Sequence, residues 1–533
     1  IIYLHPKKLN TFMKYFFPQI KAIFLIIVGT MAILYSSCRK DNVIDNNPSI
    51  TLNFSADSVI FDTVFTSLGS ATKQLRVYNN SKSKIQISSI SIGMGDQSAY
   101  RINVDGESGF IFSDIELAAG DSLYIFARVT IDPQNLNNPY VIEDEIEFIT
   151  NGNNQTIKLV AWGQDVNYII ADTYIQGLPP FKIIADSLET VYWRKDKPYV
   201  IYGFAVIDSY GKLVIEEGSK VYFHNNSGLW AYIDGVLNVL GTIEEPVYFQ
   251  GDRLEDFYDD VPGQWDRIWL MEGRQGFDHI IENAKIKNGF IGIQVESFSR
   301  VTENRLKLNN VTVENMDGIG ILSRIFSVEA TNTVVSNCGA YNLALTGGGY
   351  YSFTQSTIAA YWPYSVRNTP SVFINNYLLD SIDNPIPIPI NCNFDNSIIY
   401  GSNESEFETD MTGDTDSLYF FRNSLIKTTH DITNPDIYIN VLNNENPLFE
   451  SIENNDYRID TLSPAIGKAD LAIASTVPFD IIGNSRLPVP DVGAYQFIPG
   501  QNADDKSMGP ANHLLPIKKL TSIIKKGNYP KLK

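Results

Sequence analysis

Four short stretches decide the fold: NAKIKNG (283–289), NVTVENM (310–316), NTVVSNC (332–338) and QSTIAAY (355–361). They set Ile286, Val313, Val335 and Ile358 in register at separations of 27, 22 and 23 residues. Each is a short β-branched run bounded by small polar residues, and a period in the low to middle twenties is that of a coil of about three strands. One coil cannot bury its own apolar face, whereas coils stacked about 4.8 Å apart enclose a continuous core and pair their backbone groups. A helical repeat would show Leu and Ala at a 3.6-residue spacing; these runs are rich in Val, Ile and Thr instead.

The period extends in both directions. GKLVIEEGSKVYF (211–223) aligns on GVLNVLGTIEEPVYF (235–249), placing Leu213 on Leu237 and Ile215 on Val239, and NSIIYG and NSLIKT begin at Asn396 and Asn423. Asn288, Asn315 and Asn337 each follow their β-branched residue by two. A turn between strands at that place needs a residue tolerant of left-handed backbone angles. Residues 199–497 therefore read as a right-handed parallel β-helix, the hand taken from the general preference of parallel crossovers.

The two ends of this region carry a resemblance. KLVIEEGSKVYFHNNSGLWAYIDGVLNVLGTIEEPVYFQG followed by PGQWDRIWL resembles the entry coils of right-handed β-helix repeat proteins exported by Bacteroidetes. NPLFESIENNDYRIDTLSPAIGKAD and DIIGNSRLPVPDVGAYQF resemble the closing segment of that group, through Asn446-Pro447-Leu448-Phe449, Ser463-Pro464-Ala465-Ile466 and Asp491-Val492-Gly493-Ala494-Tyr495. The resemblance implies a pectin lyase-like fold and says little about function.

Ahead of the repeats, residues 49–166 form seven or more β-rich runs separated by Gly, Asn, Asp and Ser clusters, the pattern of an antiparallel sandwich. DTVFTSLGSATKQLRVYNNSKSKIQISSI followed by LAAGDSLYIFARVTIDP resembles the immunoglobulin-like family of spindle, ciliary and bacterial surface proteins, which implies a spacer or interaction module and no chemistry. Residues 167–198 read as a connector. The expected fold class is thus all-β, an immunoglobulin-like sandwich followed by a solenoid.

The first residues set the expected location. Met13 is the expected start; Lys14 and Lys21 make a positive region, and Ala22–Tyr35 supplies fourteen mostly apolar residues. That length suits a signal peptide better than the roughly 20 residues of a membrane span. Ser36 and Ser37 before Cys38 resemble a bacterial lipoprotein signal, although Tyr35 stands where the pattern has Leu; the resemblance implies cleavage ahead of Cys38 and diacylglycerol on its sulfur. Residues 1–37 are then leader and 38–48 a lipidated linker, and RKDN after Cys38 resembles the signal that sends some Bacteroidetes lipoproteins to the outer face of the outer membrane. A periplasmic-facing anchor is the other expectation. Residues 498–533 form a basic tail expected to be disordered, with Pro516 interrupting its amphipathic pattern.

Composition excludes some classes. Across 533 residues the formal charge is −20, which argues against nucleic acid because a phosphate-binding surface needs concentrated Lys and Arg. Three cysteines, Cys38, Cys338 and Cys392, make no disulfide framework; Cys338 and Cys392 are expected to be buried, with pairing the alternative.

Candidate chemistry lies in two places. GDRLEDFYDDVPGQWD (251–266) is an acidic excursion from the coil in which Asp256, Asp259 and Asp260 are the residues that would hold Ca²⁺, but the spacing does not match an EF-hand loop and a solvated loop is the expectation. No cofactor is otherwise implied. Lys285 and Lys287 lie near Asp278 and His279 in sequence, with nothing to show that they converge. GGGYYSF (347–353) and YWPYSV (361–366) concentrate Tyr350, Tyr351, Trp362 and Tyr364, rings that would stack on sugars if exposed and on one another if buried. The expected role is a non-catalytic surface scaffold binding glycan or a protein partner; a polysaccharide lyase or glycoside hydrolase is the alternative, requiring carboxylates and a base that converge.

Overall fold

The computed structural model describes residues 43–500, apart from 68, 135–139, 299–300, 302 and 414–417. The leader, Cys38 and the tail beyond residue 500 lie outside the described residues. The chain is nearly all β and divides into two compact units. No helix among the described residues is long and apolar enough to cross a membrane.

The first unit is built on two five-stranded antiparallel sheets. One runs in the order Asn53–Phe54, Lys73–Tyr78, Ser122–Val129, Tyr100–Val104, Glu107–Gly109; the other Ser58–Phe65, Asn153–Gln164, Tyr140–Thr150, Ile85–Ile92, Ile111–Leu117. Period-2 alternation buries Leu75, Val77, Ile102, Ile125, Ala127 and Phe148. IQISSISI breaks the alternation at Ser88-Ser89, and a register shift between Ile87 and Ser89 takes up the extra residue. All four isoleucines therefore face inward.

The second unit is dominated by a 26-stranded parallel sheet wound about an axis. In the early coils each strand pairs with the strand three places on: Tyr199–Tyr202 with Lys220–Phe223, Phe204–Ile207 with Gly228–Ala231, Lys212–Glu216 with Val236–Leu240. Each coil thus contributes to three walls. On the first wall Val221, Phe249, Ile286, Val313, Val335, Ile358, Ile399 and Ile426 stand one above another, every one fully buried. At roughly 1.5–3 kcal/mol for each buried side chain this column alone is a large part of the driving force. On the third wall Phe353, Phe394, Phe421 and Tyr438 stack inside the coil with ring centroids 5.3, 5.1 and 5.6 Å apart. The register predicted from the repeats is the register observed, including Leu213 on Leu237 and Ile215 on Val239.

The corners explain the asparagines. Asn288, Asn315 and Asn337 have φ of 66°, 60° and 49°, left-handed as the turn demands. A second row, not singled out as corners in the sequence, lies at the entry to the first wall: Asn283, Asn310, Asn332, Gln355, Asn396 and Asn423, again all at positive φ. Here the amides form a ladder, Asn310 Nδ2 donating to Asn283 Oδ1 at 3.0 Å and Asn332 Nδ2 to Asn310 Oδ1 at 2.9 Å.

Two boundaries differ from expectation. Residues 167–198 are no connector: Asn167–Ile170, Phe181–Ala185 and Thr190–Trp193 are the first coil, paired in parallel with the next. Its offset of 32 residues between Asn167 and Tyr199, lengthened by the turn before Phe181, hides it from a search at the repeat period. At the other end the wound sheet stops at Leu442–Asn443. The closing segment then doubles back over the outside of the first wall, packing Tyr457, Ile481 and Ala494 on Val334 and Ala359, and Ile459, Ala465 and Val492 on Ile398 and Leu425. The corner row anchors it: Asn332 Nδ2 donates to the Phe479 carbonyl, and Asn396 exchanges two bonds with the Asp470 backbone. Gly493, at φ 104°, donates its N–H to the Asn396 carbonyl, and a Cβ there would sit 2.7 Å from Ile398 Cδ1. That close approach accounts for the glycine in DVGAY. Cys338 and Cys392 are free, buried thiols, and burial pushes Cys338 up to about 12.

Candidate ligand-binding face

The closing segment covers the outer face of the first wall only on its later coils. On the coils before it, the outward residues are Lys285, Lys287, Thr312 and Glu314. They floor the stretch left open between the acidic loop and the closing segment. Burial raises the pKa of Tyr457 and Tyr495 of the closing segment, the charge of Glu314 adds to both, and Asp456 and Asp480 add further at Tyr495.

The corner asparagines hold the far lip. The acidic excursion leaves the wall after Val247–Gly251, carries one 3₁₀ turn at Asp256–Tyr258 and returns at Ile268–Met271. Asn288 Nδ2 donates to the Asp259 carbonyl at 2.7 Å and Asn315 Nδ2 to the Asp260 carbonyl at 2.6 Å. Lys287 Nζ pairs with Asp259 Oδ1 at 2.5 Å and also reaches the Asp259 carbonyl at 2.9 Å. Tyr364 donates its hydroxyl to the Asp260 carbonyl, which brings the aromatic stretch at 361–366 onto the acidic loop. Trp362 and Tyr364 pack at 4.9 Å between centroids, inclined at 60°, and Trp362 Nε1 donates to Ser365 Oγ at 3.0 Å.

Glu314 is the chemically distinctive group. Half-buried, its carboxyl takes no hydrogen bond or ion pair among the described residues. Burial raises its pKa above the ordinary carboxylate value, Lys285 and Lys287 oppose that, and Asp260 and Asp259 add to it.

The residues singled out in the sequence therefore divide. Tyr364 is 51% exposed, Trp362 is partly exposed beside it, and Tyr350 is 60% exposed on the third wall. Tyr351 is corrected: it is 2% exposed, stacked in the core between Val328 and Cys392, with its hydroxyl on Ser323 Oγ at 3.0 Å and donating to the Gly348 carbonyl at 2.9 Å. Three successive glycines at positive φ, Gly347 to Gly349, reset the alternation just before it, so its face could not be counted from either side. Asp256, Asp259 and Asp260 share the loop, but Asp259 is committed to Lys287, and among the described residues no group of three or more His, Cys, Asp or Glu is arranged to hold a metal ion. Lys285, Lys287, Asp278 and His279 do not converge, for Asp278 pairs with Lys307 at 2.8 Å and His279 is buried, accepting from the Leu237 N–H and bonded to the Met271 carbonyl. Glu314 and the tyrosines of the closing segment were missed; the outward partner of the buried Val313 was the available signal.

No protein-family model matches the chain, and no curated protein matches it. Among solved structures, the ASH/PapD-like domain 7 of human CEP192 is matched at 10% identity over 24% of this chain and 99% of that one, with a TM-score of 0.16. The E. coli chaperone DraB is matched at 13% identity over 21% of this chain and 54% of its own, TM-score 0.15, and a protein of unknown function from Porphyromonas gingivalis at 11% over 25% and 57%, TM-score 0.16. At such TM-scores these likenesses carry no argument, and the fold rests on the strand pairing itself.

Proposed function

We propose that the chain is a surface lipoprotein, anchored in the outer membrane through Cys38, whose solenoid presents a non-catalytic glycan-binding face. The observation that carries the reading is the meeting of Trp362 and Tyr364 with the acidic loop through the Tyr364 hydroxyl and the Asp260 carbonyl. Part-exposed rings stack on the C–H faces of sugars, while carboxylates and amides bond their hydroxyls. The local charge favours an uncharged glycan: the lip is acidic and one of the two floor lysines is already paired. The test is calorimetric titration of the intact chain with a panel of neutral and acidic polysaccharides, with and without Ca²⁺. Binding of a neutral member, unaffected by Ca²⁺ and weakened about tenfold in the Trp362→Ala/Tyr364→Ala variant, is the expected result. Loss of Cys38 by Cys38→Ser is expected to move the chain from the membrane to the soluble fraction.

Glu314 favours a second reading, a polysaccharide lyase or hydrolase in which its carboxyl donates the proton to the leaving oxygen. Depletion of any panel member, or the absorbance of an unsaturated product, would establish that reading over the first.

A further inference from the structure

At the opposite edge of the same wall, where the coils enter it, lies a groove of about 850 Å³. It falls within the roughly 300–1,000 Å³ of small-molecule sites. One side is the corner of two coils, Asn309 and Thr331; the other is the closing segment, Phe479 to Gly483; Ile243 and Glu244 close its end. The walls are fixed. The Phe479 carbonyl accepts from Asn332 Nδ2 at 2.9 Å, Arg486 Nη2 donates to Asn332 Oδ1 at 2.7 Å, and a Cβ on Gly483 would rest 3.4 Å from Ile243 Cδ1.

The lining specifies the ligand. Phe479 leaves 57% of its surface exposed, with Ile482 and Ile243 also partly open. Thr331 Oγ1 donates to Asn309 Oδ1 at 2.9 Å, and Asn309 Nδ2 holds no partner among the described residues. The two acids differ: Asp480 is saturated by the N–H groups of Ile482, Asn484 and Gln496, whereas Glu244 is exposed. No cation lines the groove, so a phosphate, sulfate or uronate has no counter-charge there. An aromatic face with a free amide and a carboxylate suits a ligand with apolar C–H faces and many hydroxyls.

We propose that this groove is a second saccharide subsite, and that one uncharged oligosaccharide lies along the first wall from Phe479 to Trp362. The inference rests on the glycan reading above and deepens it. The two edges are the corners at Asn283 and Asn288, five residues of strand apart, or roughly 17 Å, the reach of a short oligosaccharide rather than a single sugar. Between them Tyr495 of the closing segment lies within electrostatic reach of both Asp480, at the groove, and Glu314, on the outer face of the wall.

The experiment compares short and long members of neutral glucan, xylan and mannan series by titration with the intact chain. Affinity is expected to rise with length in one series. Phe479→Ala, and separately Asn309→Ala, is expected to remove that rise, weakening long oligomers about tenfold while leaving the shortest binder unchanged, with the unfolding temperature of each variant as a control. Trp362→Ala is expected to weaken all lengths. If wild type binds and Trp362→Ala weakens it but Phe479→Ala and Asn309→Ala leave the length dependence intact, the second subsite is wrong and the first stands. If no neutral glycan binds at all, the glycan reading itself fails. Displacement of a bound oligosaccharide by a peptide of residues 501–533 would assign the groove to the basic tail instead.

Discussion

The two faces of the first wall are made by alternate residues of the same strands, yet they behave differently along the stack. Facing in, Ile286, Val313, Val335, Ile358 and Ile399 are apolar on every coil. Facing out, one row runs Lys285, Thr312, Val334, Thr357, Ile398, Leu425: polar on the first two coils, then apolar apart from the buried Thr357. The inner row answers only to the stacking of coils. The outer row records what lies against it, solvent on the coils of Lys285 and Thr312 and the closing segment on the later ones. The point where its chemistry changes is the edge of the candidate site.

Paired substitutions distinguish the two faces most clearly. Ile286→Ala is expected to destabilise the second unit by roughly 3 kcal/mol through its cavity, measured as a lowered denaturant midpoint, while Lys285→Ala on the adjacent residue stays within about 0.5 kcal/mol. Equal effects would mean that the wall is not covered on one face only. Ile398→Ala, outward but beneath Val492, is expected to behave like the inner row, costing about 2 kcal/mol and exposing the closing segment to protease. A cost as small as that of Lys285→Ala would show that the segment does not seal the wall.

His279 tests the interior by pH. Burial holds its pKa down to about 4, so the folded chain keeps it neutral while the unfolded chain takes up a proton below about 6.5. The unfolded state then binds more protons, and stability falls as pH drops from 6.5 towards 4, by about 2 kcal/mol at pH 5 relative to pH 7. Denaturant midpoints at the two pH values measure it, and His279→Gln is expected to flatten the slope. The smallest effect belongs to the corners. Asn315→Gly keeps the left-handed turn but removes the bonds to Asn288 and Asp260, an expected loss of about 1 kcal/mol with a looser acidic loop, read by proteolysis at 255–262.

Much of this was legible because stacking forces a residue to resemble the one a coil away. The inner columns and the left-handed asparagines follow from that rule. The doubling back of the closing segment was also written in the chain, in Val334-Val335, Ile398-Ile399 and Leu425-Ile426, where two successive apolar residues mark a wall buried on both faces. Lys285-Ile286 and Thr312-Val313 mark a wall open on one. The face of Tyr351, the first coil at 167–193 and the meeting of two distant loops through Tyr364 and Asp260 obey no such repeat. They depend on glycine turns, irregular coil lengths and loop excursions, whose geometry no neighbouring coil dictates.

The glycan proposal puts the ligand on the open stretch of the first wall, from the acidic loop to the groove at Phe479, and nowhere else on the solenoid. Hydrogen exchange of the intact chain, alone and with the neutral polysaccharide it binds most tightly, tests this most directly. Slowed exchange confined to 255–264, 361–366 and 479–483, with the inner strands unchanged, is the predicted result. Slowed exchange centred on the second wall, or on the sandwich, would contradict it.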